Sequence, residues 1–143
     1  MSSSVLVDAP TKRVWRVISD AARWPEWSDV CTRVWDSPDE DTGWKLGHRF
    51  GFILKMAGKD VPFSVTISRV KPEKFIDWKS TKFTVTAVRT ISVEFENGRC
   101  KVTDSKHLSS YLLPIRLAYP RKVIHRMTES WLSDLKQEAE LSE

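Results

Sequence analysis

The stretch from about residue 117 to residue 140 has the clearest periodicity of apolar positions in the chain. Apolar residues recur there at steps of three and four, which places their side chains on one face of an α-helix. Charged residues occupy the opposite face, as expected where a helix meets solvent. The sequence therefore predicts one long amphipathic helix with a bulky apolar stripe. The stripe consists of Val123, Ile124, Met127, Trp131, Leu135 and Ala139.

Most of residues 30–113 instead show the alternation of apolar and polar positions that is typical of half-buried β-strands. The alternation is clearest in residues 47–56. Short segments rich in turn-forming residues separate the strands, and Asn97-Gly98 is a strong signal for a two-residue hairpin turn. These features predict consecutive antiparallel strands that form one curved sheet, which is the apolar partner of the C-terminal helix.

The N-terminal region adds a strand and two short helices. Residues 3–7 read as a strand, and Pro10 suits the first turn of the helix that follows, where its missing N–H costs nothing. Residues 23–27 are too few for an independent helix but can form one helical turn, with Pro25 at its start. We therefore predict an α+β fold with about seven strands, two short helices after the first strand and a long C-terminal helix. No linker or repeat divides residues 1–143, so we expect a single domain.

Composition narrows the class of protein. The chain has 143 residues, of which 41% are hydrophobic, and this is long enough to bury a substantial core. Its formal net charge of +4 is spread along the sequence, which argues against nucleic-acid binding. Cys31 and Cys100 show no metal-ligand spacing and read as small apolar residues in a reducing compartment. With no signal peptide and no transmembrane segment in the pattern, we expect a cytoplasmic protein.

Several short segments of the chain carry a likeness to one family: Val7-Asp8-Ala9-Pro10, Val14-Trp15, Ile18-Ser19-Asp20, Trp24-Pro25-Glu26-Trp27, residues 47–50, Lys71-Pro72-Glu73, Ile76-Asp77-Trp78, Trp131-Leu132, Leu135-Lys136 and Ala139-Glu140. With these segments, the order of elements resembles the helix-grip fold of START-like proteins, which include plant pollen allergens, lipid-transfer START domains and bacterial polyketide cyclases. The opening of the chain looks like that of the polyketide cyclase/dehydrase-like branch. The resemblance implies a cavity between helix and sheet that accepts a hydrophobic small molecule.

Counting back from the Asn97-Gly98 turn gives a strand register that turns charged residues inward. Arg89, Asp104 and Lys106 fall on the same face as apolar positions, with Arg89 diagonal to Asp104. A buried charge is costly unless it is paired. In one interpretation the charges neutralise each other near the wetted open end of the fold. In the other they line a ligand cavity and anchor a carboxylate, phenolate or carbonyl.

Few side chains in the sequence are candidates for a catalytic role. His48 is the best-placed imidazole for proton transfer, although a lone histidine on an apolar face is more often structural. Arg89 and Asp104 are the other weak catalytic candidates. The three histidines are too scattered for a metal site, and no glycine-rich phosphate loop or nucleophile elbow occurs. We therefore expect no metal and no cofactor.

Seven tryptophans and six phenylalanines are many for this length, so large rings must line or fill the interior. Tyr111 and Tyr119 bracket the start of the last helix and could hydrogen-bond a ligand, although ordinary packing is the favoured interpretation. The candidate ligand-binding residues are Trp27, His48, Phe50, Phe52, Phe63, Trp78, Arg89, Asp104, Tyr111, Tyr119, Met127 and Trp131.

Three functional hypotheses follow. The first is binding of a hydrophobic or aromatic small molecule, either a lipid or a polyketide-like compound, in an internal cavity. The second is a polyketide cyclase or dehydratase acting on a poly-β-keto chain. The third is a protein-interaction role for the basic cluster at Arg116, Arg121, Lys122 and Arg126, which is either a solvated face or a contact with an anionic membrane or a carrier protein. The pattern predicts no particular oligomeric state.

Overall fold

One antiparallel sheet runs through most of the chain. The computed structural model describes residues 1–38, 43–82, 85–110 and 121–141. Seven strands lie in these ranges, in the spatial order β1-β7-β6-β5-β4-β3-β2, so that only β1 is out of sequence order. The strands are β1 (Ser2–Val7), β2 (Cys31–Trp35), β3 (Arg49–Met56), β4 (Lys59–Lys71), β5 (Phe75–Lys82), β6 (Val85–Glu96) and β7 (Arg99–Ser110).

The helices lie at the two ends of the sequence. Helix α1 (Thr11–Ser19) follows Pro10, and a 3₁₀ turn (Ala21–Arg23) leads into the single turn of α2 (Trp24–Trp27). Helix α3 (Arg121–Leu141) buries the predicted apolar stripe from Ile124 to Ala139, and Val123 is half-buried. The predicted fold class is therefore confirmed, while residues 117–120 of the predicted helix lie outside the described residues.

Tight turns and bulges give the sheet its curvature. Asn97 and Gly98 both have positive φ, as a type I′ hairpin turn requires, and Ala57 and Gly58 repeat this geometry between β3 and β4. The register shifts in β2 and again in β4, and such bulges bend a strand and increase its twist. The curled sheet therefore presents a concave face to α3.

The predicted register of the β6–β7 hairpin is confirmed. Arg89 pairs with Lys106, and Ile91 pairs with Asp104. One apolar residue on this face, Phe95, is 66% exposed. Phe95 lies next to the turn, and the buried part of the face on β6 ends at Val93.

Aromatic rings fill much of the space between α3 and the sheet. The Trp24 ring centroid lies 6.0 Å from those of Phe50, Phe52 and Trp131, and the Trp24 indole donates a hydrogen bond to the Ile18 carbonyl. Full burial of one large apolar side chain contributes about 1.5–3 kcal/mol to stability. Much of the aromatic content predicted to line or fill the interior therefore forms the core.

A second packing feature lies on β3. A Cβ atom at Gly51 would lie 2.2 Å from Cε2 of Trp35, so the indole occupies the space that any larger residue would need. Gly51 and Trp35 are paired across β3 and β2. Glycine at this position therefore allows the Trp35 ring to lie flat against the strand.

Candidate ligand-binding site

A small hollow remains between the sheet and the first turns of α3. Its volume is about 60 Å³, and its polar lining comes from Arg89, Lys106 and Ser80. Arg89 and Lys106 reach it because the hairpin register turns both side chains to the concave face. The apolar lining consists of Phe52, Leu54, Met56, Phe63, Val65, Trp78, Ala87, Leu108, Ile124 and Met127.

The hollow is smaller than typical binding sites for small molecules, which occupy roughly 300–1,000 Å³. A volume of about 60 Å³ holds several water molecules or a ligand group of a few heavy atoms. Two of its walls are the methionines Met56 and Met127, whose unbranched side chains rearrange easily. The site is therefore small but has adaptable walls.

Next to the hollow, two cations share one carboxylate. Nε of Arg89 donates to Oδ1 and Oδ2 of Asp104, at 3.1 and 3.0 Å. Nζ of Lys106 donates to Oδ1 of Asp104 at 3.1 Å and to the hydroxyl of Thr128 on α3. That hydroxyl in turn donates to the Ile124 carbonyl at 2.8 Å. The network therefore joins β6, β7 and α3.

The carboxylate at the centre of this network stays ionised. Asp104 is only 1% exposed, and burial alone would raise the pKa of its carboxyl. The charges of Arg89 and Lys106 and their hydrogen bonds outweigh burial, so the pKa lies below its usual value. Arg89 and Lys106 together carry one more positive charge than Asp104 neutralises.

This imbalance of charge affects the protonation of the Lys106 amine. Burial, and then the neighbouring Arg89 charge, lower the pKa of its amine from the usual 10.5 to about 8, although Asp104 acts in the opposite direction. Arginine is effectively always protonated in proteins. Loss of a proton from Lys106 therefore leaves a balanced Arg89–Asp104 pair beside a neutral amine.

Two tryptophans hold the Arg89 side chain in place. Its guanidinium carbon lies 5.2 Å from the centroid of the Trp78 ring and 4.8 Å from that of Trp131. Cations are attracted to the faces of indole rings, and the attraction grows when the pair is removed from water. The direction of the guanidinium is therefore fixed by ring contacts as well as by Asp104.

Other reactive groups lie outside this network. Burial raises the pKa of the Cys31 thiol to about 11, so it stays protonated near neutral pH. The buried Cys100 thiol donates to the Ala9 carbonyl at 3.2 Å. Within the described ranges of the chain, no group of three His, Cys, Asp or Glu residues lies close enough to hold a metal ion.

The structure brings together part of the predicted ligand-binding set. Of the candidates that sequence reasoning selected, five line the hollow, and Asp104 lies directly behind two of the lining residues. The five are Phe52, Phe63, Trp78, Arg89 and Met127.

The remaining described candidates lie elsewhere. Trp27 packs against Trp131, with ring centroids 5.4 Å apart, and both belong to the filled part of the interior together with Phe50. His48 precedes β3 and is half-buried, and its Nε2 lies 2.8 Å from the Asp36 carbonyl oxygen. These four residues are not part of the described lining. Tyr111 and Tyr119 lie outside the described residues.

Three polar residues of the site are absent from the candidate list drawn from the sequence, and one of them is Ser80, which lines the hollow. Lys106 was placed inward by the register, and one interpretation put it in a ligand cavity, but it was not included among the candidate residues, although it lines the hollow. Thr128 is a buried polar residue on α3 and joins the charge network. Its sequence signal is a hydroxyl directly after Met127, within the buried face of the helix.

The described part of the basic cluster is exposed. Arg121, Lys122 and Arg126 line a surface groove near the start of α3, together with His107 and His125. Arg116 lies outside the described residues. A contact between this groove and an anionic membrane or a carrier protein stays a prediction.

A long helix gripped by a curled seven-stranded sheet, with a small apolar hollow beneath it, defines a helix-grip protein of the START-like type. The family model described as polyketide cyclase/dehydrase and lipid transport matches residues 1–140. The chain therefore belongs to this family, whose fold and description are those of ligand-binding or polyketide cyclase-like proteins. No curated protein matches its sequence significantly.

Several solved structures share the fold. Major latex-like protein 151 from Panax ginseng superposes with a TM-score of 0.81 and 12% identity, covering 97% of this chain and 95% of that one. Zhui aromatase/cyclase from Streptomyces sp. R1128 gives a TM-score of 0.76 and 14% identity, with 98% and 92% covered. A START superfamily protein from Mycobacterium smegmatis gives 0.68 and 13%, with 98% and 93% covered.

These identities are low, so the likeness concerns the fold alone. Separately, none of the helices within the described residues is both long enough and apolar enough to cross a membrane.

Proposed function

We propose that the protein binds a small apolar or aromatic molecule in the hollow, and that the molecule carries one acidic or carbonyl oxygen. The apolar part of the ligand contacts the aromatic and aliphatic walls, and its oxygen contacts Arg89 and Lys106. Ligand sites are commonly apolar with a few polar groups that fix orientation. A lipid with an acidic head and a polyketide-like compound both have this chemistry.

The excess of cationic groups is the observation that carries the proposal. Arg89 and Lys106 both line the hollow while sharing the carboxylate of Asp104. Among the described residues, neither cation has an ion pair with a second acidic side chain. A purely structural network is expected to balance its charges, because an unpaired buried charge is costly. An anionic or carbonyl ligand supplies the missing negative charge or dipole.

The size of the hollow limits how the ligand enters. A group of a few heavy atoms fits the observed volume of about 60 Å³. A complete aromatic ring or an acyl chain needs more space, and movement of Met56 and Met127 provides it without disturbing the sheet. We therefore expect ligand binding to change the side-chain conformations of Met56, at the end of β3, and of Met127 on α3.

Isothermal titration calorimetry with benzoate and benzamide tests the proposal directly. The two compounds have nearly the same shape, but only benzoate is an anion. We expect the wild-type protein to bind benzoate at least about tenfold more tightly than benzamide. Lys106→Met removes the surplus cation and leaves the Arg89–Asp104 pair intact, so this preference should be lost.

Lys101→Met is the matched control, because Lys101 lies on the same strand and its register position faces away from α3. It should retain the preference for benzoate. Native mass spectrometry of protein purified without detergent should also show a co-purified small molecule. Equal affinities for the two compounds would refute the preference for an acidic oxygen, and no binding of either together with no co-purified molecule would refute the proposal as a whole.

Carbonyl polarisation by the same two cations makes a polyketide cyclase or dehydratase the second candidate. Arg89 and Lys106 could stabilise negative charge that develops on a carbonyl oxygen. Turnover of a linear poly-β-keto substrate that disappears in Arg89→Ala would favour this function. His48→Phe is informative as a comparison, because His48 lies outside the described lining and its loss should then leave turnover intact.

A further inference from the structure

The side chain of Lys106 combines two properties that are rarely found together in a lysine. It is only 12% exposed, yet it lines the hollow. Its Nζ is held by Asp104 on its own strand and by Thr128 on α3, so the amine has a defined position. Most lysines extend into solvent, where the amine is protonated and mobile.

The surroundings of Lys106 make its neutral form more accessible than in a solvent-exposed lysine, first through burial and then through the Arg89 charge. The groups that contact or lie near its Nζ are the Arg89 guanidinium, the Asp104 carboxylate and the Thr128 hydroxyl. With Arg89 permanently charged, the carboxylate is already balanced when Lys106 is neutral. The pKa of about 8 agrees with this geometry and leaves roughly a tenth of the amine neutral at pH 7.

We propose that Lys106 is a carbonyl-reactive amine that forms an imine with a small aldehyde or ketone in the hollow. A desolvated lysine beside another cation is a recognised type of activated nucleophile. The inference deepens the proposed function, because it gives the carbonyl ligand a covalent partner, but it depends on a different chemical property of the same site.

The reaction balances without an oxidant or reductant. The lone pair of the neutral Lys106 nitrogen attacks the carbonyl carbon and forms a C–N bond, while the C=O π electrons move to oxygen. A proton passes from nitrogen to that oxygen and gives a carbinolamine. The C–O bond then breaks, the oxygen and two hydrogens leave as water, and a C=N bond remains. Protonation of the imine nitrogen gives an iminium cation.

The groups around Lys106 are compatible with imine formation. The iminium carries the same charge as the lysine ammonium, so it can retain the contact with Asp104. Because the Lys106 side chain is only 12% exposed, its imine has limited contact with bulk water, which would return it to the free amine. The volume of about 60 Å³ favours a short aliphatic carbonyl compound over a bulky one.

Reductive trapping tests this inference on the wild-type protein. The protein is incubated with butanal and sodium cyanoborohydride near neutral pH, and adducts are quantified by peptide mass mapping over time. Lys106 should be alkylated about tenfold faster than Lys101, because a larger fraction of its amine is neutral. Cyanoborohydride reduces the imine to a stable secondary amine and therefore records where imines form.

Lys106→Arg retains the positive charge but cannot form this imine, so the fast adduct should disappear while labelling of Lys101 stays unchanged. In Lys101→Arg the fast adduct at Lys106 should persist. The inference is overturned if Lys106 in the wild-type protein is labelled no faster than Lys101. Since the benzoate titration does not require imine formation, a protein that prefers benzoate but shows no fast adduct retains the proposed function and loses only this inference.

Discussion

The guanidinium of Arg89 lies 4.8 Å from the centroid of the Trp131 ring, so the middle of β6 and the middle of α3 meet through a cation–π contact. Trp131 is also in contact with Trp24 and Trp27. One side chain of α3 therefore orients a charged group of the site and at the same time closes the aromatic core.

Replacing Trp131 with alanine should destabilise the protein by about 3–5 kcal/mol, because it leaves a large cavity in the core. Trp131→Phe keeps an aromatic face toward Arg89 and should lose clearly less stability. The free energy of unfolding is measured by urea titration followed by far-ultraviolet circular dichroism. Equal losses in the two variants would contradict a stabilising role for an aromatic ring at this position.

Asp104→Asn should be among the most destabilising single substitutions in the site. It leaves Arg89 and Lys106 buried without their shared anion, and breaking a buried pair in this way costs about 3–5 kcal/mol. Asp60→Asn, at an exposed position of the β3–β4 hairpin, serves as the control and should change stability by no more than about 0.5 kcal/mol. Similar unfolding midpoints for the two variants would contradict the role assigned to Asp104.

The stability of the protein should rise with pH above pH 8 through Lys106. The pKa of its amine is about 8 in the folded state, below the usual 10.5 that describes the unfolded chain. Between these values the unfolded state binds more protons, so the free energy of unfolding increases with pH, by up to about 1.4 kcal/mol per unit.

Lys106→Met provides the reference for this measurement, since it removes the titrating amine and leaves Arg89 and Asp104 paired. The Cys31 thiol, with a pKa raised by burial to about 11, acts in the opposite direction above pH 9, but both proteins retain it. The unfolding free energy of the wild-type protein minus that of the variant should therefore increase from pH 8 to pH 10. A constant difference would mean that Lys106 titrates alike in the folded and unfolded states.

Gly51→Ala should destabilise the protein although it adds only one methyl group. The new Cβ would lie 2.2 Å from Trp35, so the indole or the strand must move, at a cost of about 1–3 kcal/mol. In a Trp35→Ala background the same substitution should cost much less, because the obstructing ring is gone. Chemical denaturation of the four proteins gives this coupling, and additive effects would exclude the steric explanation.

Sequence reasoning was most successful where short-range geometry determines the outcome. The Asn97-Gly98 turn fixes the register of β6 against β7, and a strand period of two then directs Arg89 and Asp104 to the concave face. The spacing of apolar residues likewise predicts the buried stripe of α3. These features depend on local backbone geometry, so the sequence alone contains enough information to derive them.

Packing of side chains from distant segments was not predictable in the same way. Nothing in the pattern distinguishes Phe50, which belongs to the core, from Phe52, which also borders the hollow. His48 does not line the hollow, and it lies just before the first residue of β3. Phe95 is exposed because the elements that cover this face do not extend to the β6–β7 turn. Each outcome depends on the three-dimensional arrangement of several elements.

Arg89, Asp104 and Lys106 all come from one hairpin that is closed by a two-residue turn. The charged groups of the site are therefore encoded in a continuous piece of the gene, separate from the β2–β5 half of the sheet that supplies much of the apolar wall. Grafting alternate positions of this hairpin from another member of the family would exchange one set of polar groups for another while the receiving scaffold stays the same. Recognition of new ligands can thus diversify within this fold without rebuilding its architecture.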